Sequence, residues 1–472
     1  MWQSMSYVVL CTDGTAHFRN VTKSNLAGIA VMCLQPLHGT VPACCSAGSA
    51  LWRRCTGESG VTTQARRVEL VYFNAGGGHR SAALSLEAAL LGCDRPWQVR
   101  RINLAEILDP ADRFRQATGI APEDYYNLRL ARGWTVGLTL ELKMLQAAIR
   151  LARRPLISLL RKHWLATRPD VVVSLIPNFN GAMCEALGGA LPQVPYVTVL
   201  TDLADYPPDF WIEADPRQHL VCGSARALAQ ARAAGRTASH VHAASGMILN
   251  PRFYAGRSAD QMAERERLGL SPDRPTGMVM FGGHGSPAML QIARRLPDTQ
   301  LLLICGHNQR LAARLTKLPS RAAHVVMGYV SDMPQAMQLC DFFIGKPGPG
   351  SVSEAIQQQL PVIVTRNALT LPQERYNTEW IQEHDVGLVL KSFREIAPAV
   401  QQLCSQLELF RQRTTEMRNR AVFEIPILLE RILAAHVSDA DRLAAPAPIA
   451  HTLRRKVRRS GIPEEARVRL SR

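Results

Sequence analysis

From Val68 onward, apolar residues gather into short runs closed by glycine, proline or polar residues, and longer segments of helical spacing separate most of them. Short, wholly apolar runs fit strands buried on both faces, and the helices between them supply the crossovers of a parallel sheet. The first series has strands at Val68–Phe73, Val99–Leu104, Val171–Ile176, Tyr196–Leu200 and Leu220–Cys222. The turn Ala75–Gly78 joins the first strand to a helix ending near Leu91. The pattern breaks across Asn250–Pro275, where Pro251, Pro272 and Pro275 flank the charged run Asp260–Arg267. A second series follows, with strands at Gly277–Phe281, Gln300–Cys305, His324–Tyr329, Asp341–Ile344 and Pro361–Val364 and helices between them. The fold expected is therefore α/β, with two parallel-sheet domains in tandem and a ligand cleft between them. Residues 67–250 form the first domain, 251–258 the linker and 259–440 the second domain with a helix returning from it.

The two ends of the chain lack this patterning. Residues 1–66 show poor periodicity and hold five cysteines without framework spacing. They are expected to be disordered or not part of the native product. A signal segment around Asn25–Cys44 fits poorly, because its apolar run is short and begins late. Residues 441–472 read as a basic flexible tail.

Length and composition narrow the function classes. The chain has 472 residues, 47% of them hydrophobic, enough for two or three domains with a sizeable core. Its apolar runs are too short for a membrane-spanning helix. The formal charge of +16 asks for an anionic partner. Much of it lies in Tyr126–Arg168, where nine basic residues stand against Glu141 alone, interleaved with Leu, Ile, Val, Ala, Trp134 and Trp164. Basic residues among apolar ones on helices fit an anionic membrane surface. Nucleic acid is not expected, since no aromatics punctuate the basic tail and no recognition-helix signature occurs. None of the 11 cysteines forms a CxxC pair, and solitary thiols suit a reducing compartment.

Four motifs carry candidate chemistry. The first is Gly345–Asn377, where a Gly/Pro turn runs into a helix start at Ser351. Ser351 and Glu354 have capping-box spacing. Free N–H groups there suit phosphate, and Glu354 one turn on suits ribose hydroxyls. With Gln373, Glu374 and Asn377 offering groups for a sugar, the stretch reads as a nucleotide-sugar site. The second motif is Gly76-Gly77-Gly78-His79, a strand-to-helix turn whose glycines allow close backbone approach. Its spacing is neither a dinucleotide fingerprint nor a Walker loop. His79 is the general-base candidate, with helix capping or packing as its plain structural role. The third motif, Gly282-Gly283-His284-Gly285-Ser286, stands at the equivalent place in the second domain and reads as a diphosphate cradle. The fourth is Thr201-Asp202-Leu203, after a strand, where Asp202 could orient His79, act as base, or simply shape a turn.

Together these residues resemble glycosyltransferase family 28. The second-domain signatures Gly328–Met333, Gly345–Ser351, Ser353-Glu354 and Pro372–Asn377 stand in the order that family uses. The triple-glycine turn looks like the monogalactosyldiacylglycerol synthase and diacylglycerol glucosyltransferase branch. The resemblance covers about residues 67–435 and implies a GT-B fold of two Rossmann-like domains, with acceptor on the first and donor on the second. It implies an inverting transfer of a hexose from a UDP-sugar to a diacylglycerol-type lipid, with no cofactor and no metal. It also implies a peripheral protein on the cytoplasmic face of a membrane. Carried over by residue, Glu354 holds the ribose, the Val330 backbone reads uracil, and Gly282–Ser286, Gly348, Gly350 and Ser351 meet the diphosphate. Gln373, Glu374 and Asn377 hold the sugar, Gly76–Gly78 approach the acceptor, and His79 sits by its hydroxyl. The resemblance departs at Ala204–Trp211, which lacks the histidine usual in that branch. A UDP-sugar 2-epimerase shares the two-domain layout and is the rival reading, followed by a non-catalytic lipid- or nucleotide-binding member.

Overall fold

The computed structural model describes residues 8–12, 15–19, 65–74, 77–120, 123–124, 138–256, 260–368 and 370–444. The stretch Asn25–Cys44, Gly76, residues 125–137 with Trp134, and the tail beyond residue 444 lie outside them. Within the N-terminal extension, β1 (Val8–Thr12) and β2 (Thr15–Arg19) pair as an antiparallel ribbon. The sequence pattern carried no sign of that ribbon.

The rest of the chain is built on two six-stranded parallel sheets. The first comprises β3 (Arg66–Tyr72), β4 (Trp97–Asn103), β5 (Val171–Ser174), β6 (Tyr196–Val199), β7 (Gln218–Cys222) and β8 (Val241–Ala243), in the order β4-β3-β5-β6-β7-β8. The second comprises β9 (Thr276–Met280), β10 (Gln300–Ile304), β11 (His324–Met327), β12 (Phe342–Gly345), β13 (Val362–Thr365) and β14 (Gly387–Leu390), in the order β11-β10-β9-β12-β13-β14. Every residue of β5, β9, β10 and β12 is buried, as strands covered by helices on both faces must be. Strand order reverses between β3 and β5 in one sheet and between β9 and β12 in the other. A reversal leaves a crevice at the strand C-terminal ends. The turn after β3 and the turns after β9 and β12 are the glycine motifs, so the topology itself places them at the two crevices.

The linker is less loose than its prolines suggest. Pro251–Tyr254 forms a 3-10 turn capped by Asn250, whose Oδ1 accepts from Arg252 N–H at 3.0 Å. Phe253 is buried in the core of the second sheet, and its carbonyl accepts from Gln358 Nε2 at 2.8 Å. The helix Ala421–Ala444 then returns to the first sheet, burying Ala421, Val422, Ile425 and Leu429 against Val68, Leu70, Val171 and Val173. His436 on that helix meets His219 of β7 at 3.0 Å between ring nitrogens. Two crossings of the chain thus hold the halves together.

Candidate functional site

On the first sheet, the turn after β3 ends at Gly77, whose φ of +79° is left-handed and favours glycine. The helix Gly78–Leu91 starts there without a side-chain cap, and Cβ atoms built on Gly77 or Gly78 would meet nothing within 4 Å. Its first N–H groups therefore have no side-chain cap. His79 is half-buried, and its Nδ1 lies 3.0 Å from Thr201 Oγ1. Burial outweighs a backbone contact from Leu175 and lowers the imidazole pKa to about 4, so the ring is neutral at physiological pH. Asp202 is buried, and its Oδ2 accepts from Trp211 Nε1–H at 3.0 Å. Loss of solvation, partly offset by that bond, pushes the Asp202 carboxyl up to about 7. The side chain that orients His79 is therefore Thr201, while Asp202 is oriented by Trp211. Both residues stand in stretches that the sequence singled out, but neither orienting role was foreseen there. Trp211 stands in the segment that lacks the branch's histidine, and it is wholly buried.

On the second sheet, β9 leads into Gly282–Ser286. Gly282 and Gly285 have φ of +71° and +61°, and a Cβ on Gly285 would strike Leu311 at 2.6 Å. The Gly283 carbonyl accepts from His307 N–H at 2.9 Å, which fixes this turn on the next βα loop. His284 is exposed, its carbonyl accepting from Asn308 Nδ2 at 3.0 Å. Ser286 turns inward to accept from Ala288 N–H at 3.2 Å. Val330 is half-buried against the core, next to Tyr329, whose exposed ring stacks on His307 with centroids 4.6 Å apart.

The helix after β12 begins earlier than the sequence suggested. It spans Pro349–Gln357 with Gly348 as N-cap and Pro at the first helical position, a favoured start because proline lacks the N–H that would be orphaned there. No side chain caps it, so the Ser351/Glu354 capping box is not formed. Gly350 and Ser351 lie in the first turn, with Glu354 on the following one. Glu354 is half-buried and makes no hydrogen bond or ion pair among the described residues, and burial pushes its carboxyl up to about 7.

The three sugar-contact candidates part company. Gln373 is half-exposed beside the turn. Glu374 is buried and accepts from Lys346 Nζ at 2.8 Å. Asn377 is wholly buried, and its Nδ2 donates to the Pro347 carbonyl at 2.8 Å, beneath the Gly345–Gly350 turn. Lys346 and Glu374 lie on the second sheet, yet both charges act on Asp202 of the first. The two halves also meet where the Arg226 guanidinium lies 5.9 Å from the Tyr376 ring centroid. Acceptor-side and donor-side candidates thus share one cleft. Among the described residues no three His, Cys, Asp or Glu side chains gather to hold a metal ion.

The helices Leu138–Leu151 and Arg153–Thr167 carry the described part of the basic stretch. Met144, Leu145, Leu151, Leu159 and Leu165 are exposed on them, beside Lys143, Arg150, Arg154 and Lys162. Trp164 does not share that surface. It is wholly buried, and its Nε1–H donates to Glu69 Oε2 at 3.0 Å.

Residues 278–431 match the glycosyltransferase family 28 C-terminal domain. The chain is 31% identical over 277 residues to the chloroplastic monogalactosyldiacylglycerol synthase of Spinacia oleracea, covering 55% of this chain and 52% of that one. It is 29% identical to monogalactosyldiacylglycerol synthase 1 of Arabidopsis thaliana, over 55% of this chain and 51% of that one. The chain spans about half the length of these curated relatives. Among solved structures, glycosyltransferase VinC, in complex with DTDP, superposes with a TM-score of 0.50 at 13% identity, covering 78% of this chain and 100% of that one. Arabidopsis thaliana UGT89C1, complexed with UDP, gives 0.50 at 13% identity, covering 79% and 99%. The protein accordingly has the GT-B fold, and its second half carries a glycosyltransferase family 28 C-terminal domain.

Proposed function

We propose that the protein transfers a hexose from a UDP-sugar to a lipid acceptor of diacylglycerol type at a membrane surface, inverting the anomeric carbon and using no metal. The observation that carries this reading is Glu354, a half-buried carboxylate with no side-chain partner among the described residues, set one turn beyond an uncapped helix N-terminus at the second crevice. The helix end receives the diphosphate and the carboxylate receives ribose hydroxyls. The relatives' names supply the galactolipid class, and the UDP-bound neighbour supports the nucleotide.

In this mechanism the acceptor hydroxyl attacks the anomeric carbon and UDP leaves. His79, held neutral, or Asp202 takes the hydroxyl proton. Helix N-terminal N–H groups at Gly348–Ser351 and the Gly282–Ser286 turn take up the charge on the departing diphosphate. The exposed leucines and methionine of the two basic helices seat the protein on the cytoplasmic face of an anionic membrane, next to its acceptor. The test is incubation with a panel of labelled UDP-sugars and total membrane lipid, with mass analysis of the product. A hexosyl-lipid from one UDP-sugar is expected. Release of free UDP with an epimerised sugar and no lipid product would overturn the transfer reading.

A further inference from the structure

Glu374 presents a physical problem. A buried carboxylate is costly unless paired, and a second buried carboxylate, Asp202, stands beside Leu203, which packs into the core of the second sheet, so the two carboxylates lie within reach of each other's charge. The residue that answers both is Lys346, from the turn after β12. Its Nζ donates to Glu374 Oε1 at 2.8 Å, while the lysine side chain stays 39% exposed. The pair lies against the helix N-cap: a Cβ built on Gly348 would stand in ordinary contact, 3.4 Å from Lys346 Cε and 3.6 Å from Glu374 Oε1.

We propose that Lys346 is a positioning residue for the transfer step, cancelling the Glu374 charge that would otherwise oppose ionisation of Asp202 across the cleft. The inference rests on the transfer reaction proposed above, because only there does an ionised Asp202 have work to do. Four titratable groups face Asp202 or its neighbours. Lys346 and Glu374 come from the second half, Asp205 comes from the same loop, and His79 reaches it through the adjacent Thr201. Glu374 and Asp205 raise its pKa, and Lys346 lowers it. Lys346 is the cation of this set. Removing it leaves two carboxylate charges acting on Asp202 in a site from which water is largely excluded.

The Trp211 indole N–H, bonded to Asp202, provides a reporter that does not depend on activity. The full chain is labelled with 5-fluorotryptophan, and among its seven tryptophans the Trp211 fluorine signal is assigned by its loss in Trp211→Phe. The pH midpoint of that signal is expected to rise in Lys346→Met and to fall in Glu374→Gln. It should return close to wild type in the double variant and stay near wild type in Lys346→Arg. The acid limb of kcat should move with it. A midpoint that stays put or falls in Lys346→Met would overturn the proposal, as would weaker UDP binding with an unmoved midpoint, which would make Lys346 a phosphate ligand. If Lys346→Met does not fold, the downward shift in Glu374→Gln still decides the matter, and no shift there sinks the idea. Should the wild type transfer no sugar, the functional reading fails while the midpoint arm remains readable.

Discussion

The two crevices are built alike and furnished differently. Each sits where strand order reverses, and each receives a glycine turn that ends in a helix without a side-chain cap. In the first, the polar side chains are already bonded within the protein: His79 to Thr201, Asp202 to Trp211. In the second, the Glu354 carboxylate has no partner among the described residues and the first turn of its helix presents N–H groups. Preorganised side chains suit a step in which one proton moves. Unsatisfied ones suit a ligand that brings many hydroxyls and a diphosphate. On the present reading, chemistry belongs mainly to the first crevice and donor binding to the second, and each prediction below would break or sharpen that division.

The largest effect is expected at His79. General-base catalysis is typically worth about 10²–10⁴ in rate. His79→Ala should lower turnover on that scale and leave UDP affinity, a property of the other crevice, unchanged by calorimetry. The pH profile then says which group accepts the proton. With a pKa near 4, His79 would keep activity down to that pH, whereas Asp202, near 7, would give an acid limb at about neutrality. A raised acceptor KM with turnover preserved would remove His79 from the chemical step.

The sequence disclosed this division only in part. The strands were legible because parallel strands buried on both faces appear as unbroken apolar runs, as in Val171–Ser174 and Phe342–Gly345. Besides the N-terminal ribbon, two strands of the parallel sheets escaped, Val241–Ala243 and Gly387–Leu390, which are short and mostly half-exposed and so carry little apolar signal. The glycine turns were legible because the left-handed backbone at Gly77, Gly282 and Gly285 favours that residue. The partners were not. Thr201 lies 122 residues from His79, and Lys346 lies 28 residues from Glu374, distances at which spacing says nothing about contact. The capping box failed for a local reason: Pro349 starts the helix two residues before Ser351, which moves the pair into the helix interior.

The middle effect concerns Glu354. Hydrogen bonds to a charged group are worth about 1.5–3 kcal/mol, so Glu354→Ala should weaken UDP binding roughly ten- to hundredfold in a folded variant. The sign of the pH dependence follows from the raised pKa. The carboxylate that accepts ribose hydroxyls is present above about pH 7 and is lost as pH falls through that value. Uridine, which has no phosphate to titrate, should therefore bind more weakly at pH 6 than at pH 8, and Glu354→Gln should flatten that slope. Equal slopes in the two proteins would move the ribose contact elsewhere and leave the second crevice without its defining group.

The smallest effect per residue lies on the basic helices, and it tests whether the first crevice is the one next to lipid. Each basic residue near an anionic surface contributes about 1 kcal/mol. The arginines there are not equivalent, however. Arg153 is already paired with Glu185, Nη2 to Oε2 at 2.7 Å, so its charge is largely spent within the protein. Among the described residues Arg150 forms a hydrogen bond to the Gln146 carbonyl, through Nε at 3.2 Å, and no ion pair. Arg150 stands beside the exposed Leu151, and Arg154 follows on the next helix. Co-sedimentation with vesicles rich in anionic lipid should accordingly fall about fivefold for Arg150→Ser or Arg154→Ser, and less for Arg153→Ser. All three losses should shrink as salt is raised, because exposed charges are screened over about 10 Å at 0.1 M. Binding that is equal on neutral and anionic vesicles would refute the electrostatic part. Equal losses for all three arginines would mean that the Arg153–Glu185 pair opens at the membrane. If acceptor KM rises with each loss of vesicle binding while UDP affinity holds, lipid enters beside the first crevice. If UDP affinity falls instead, the division between the crevices is wrong.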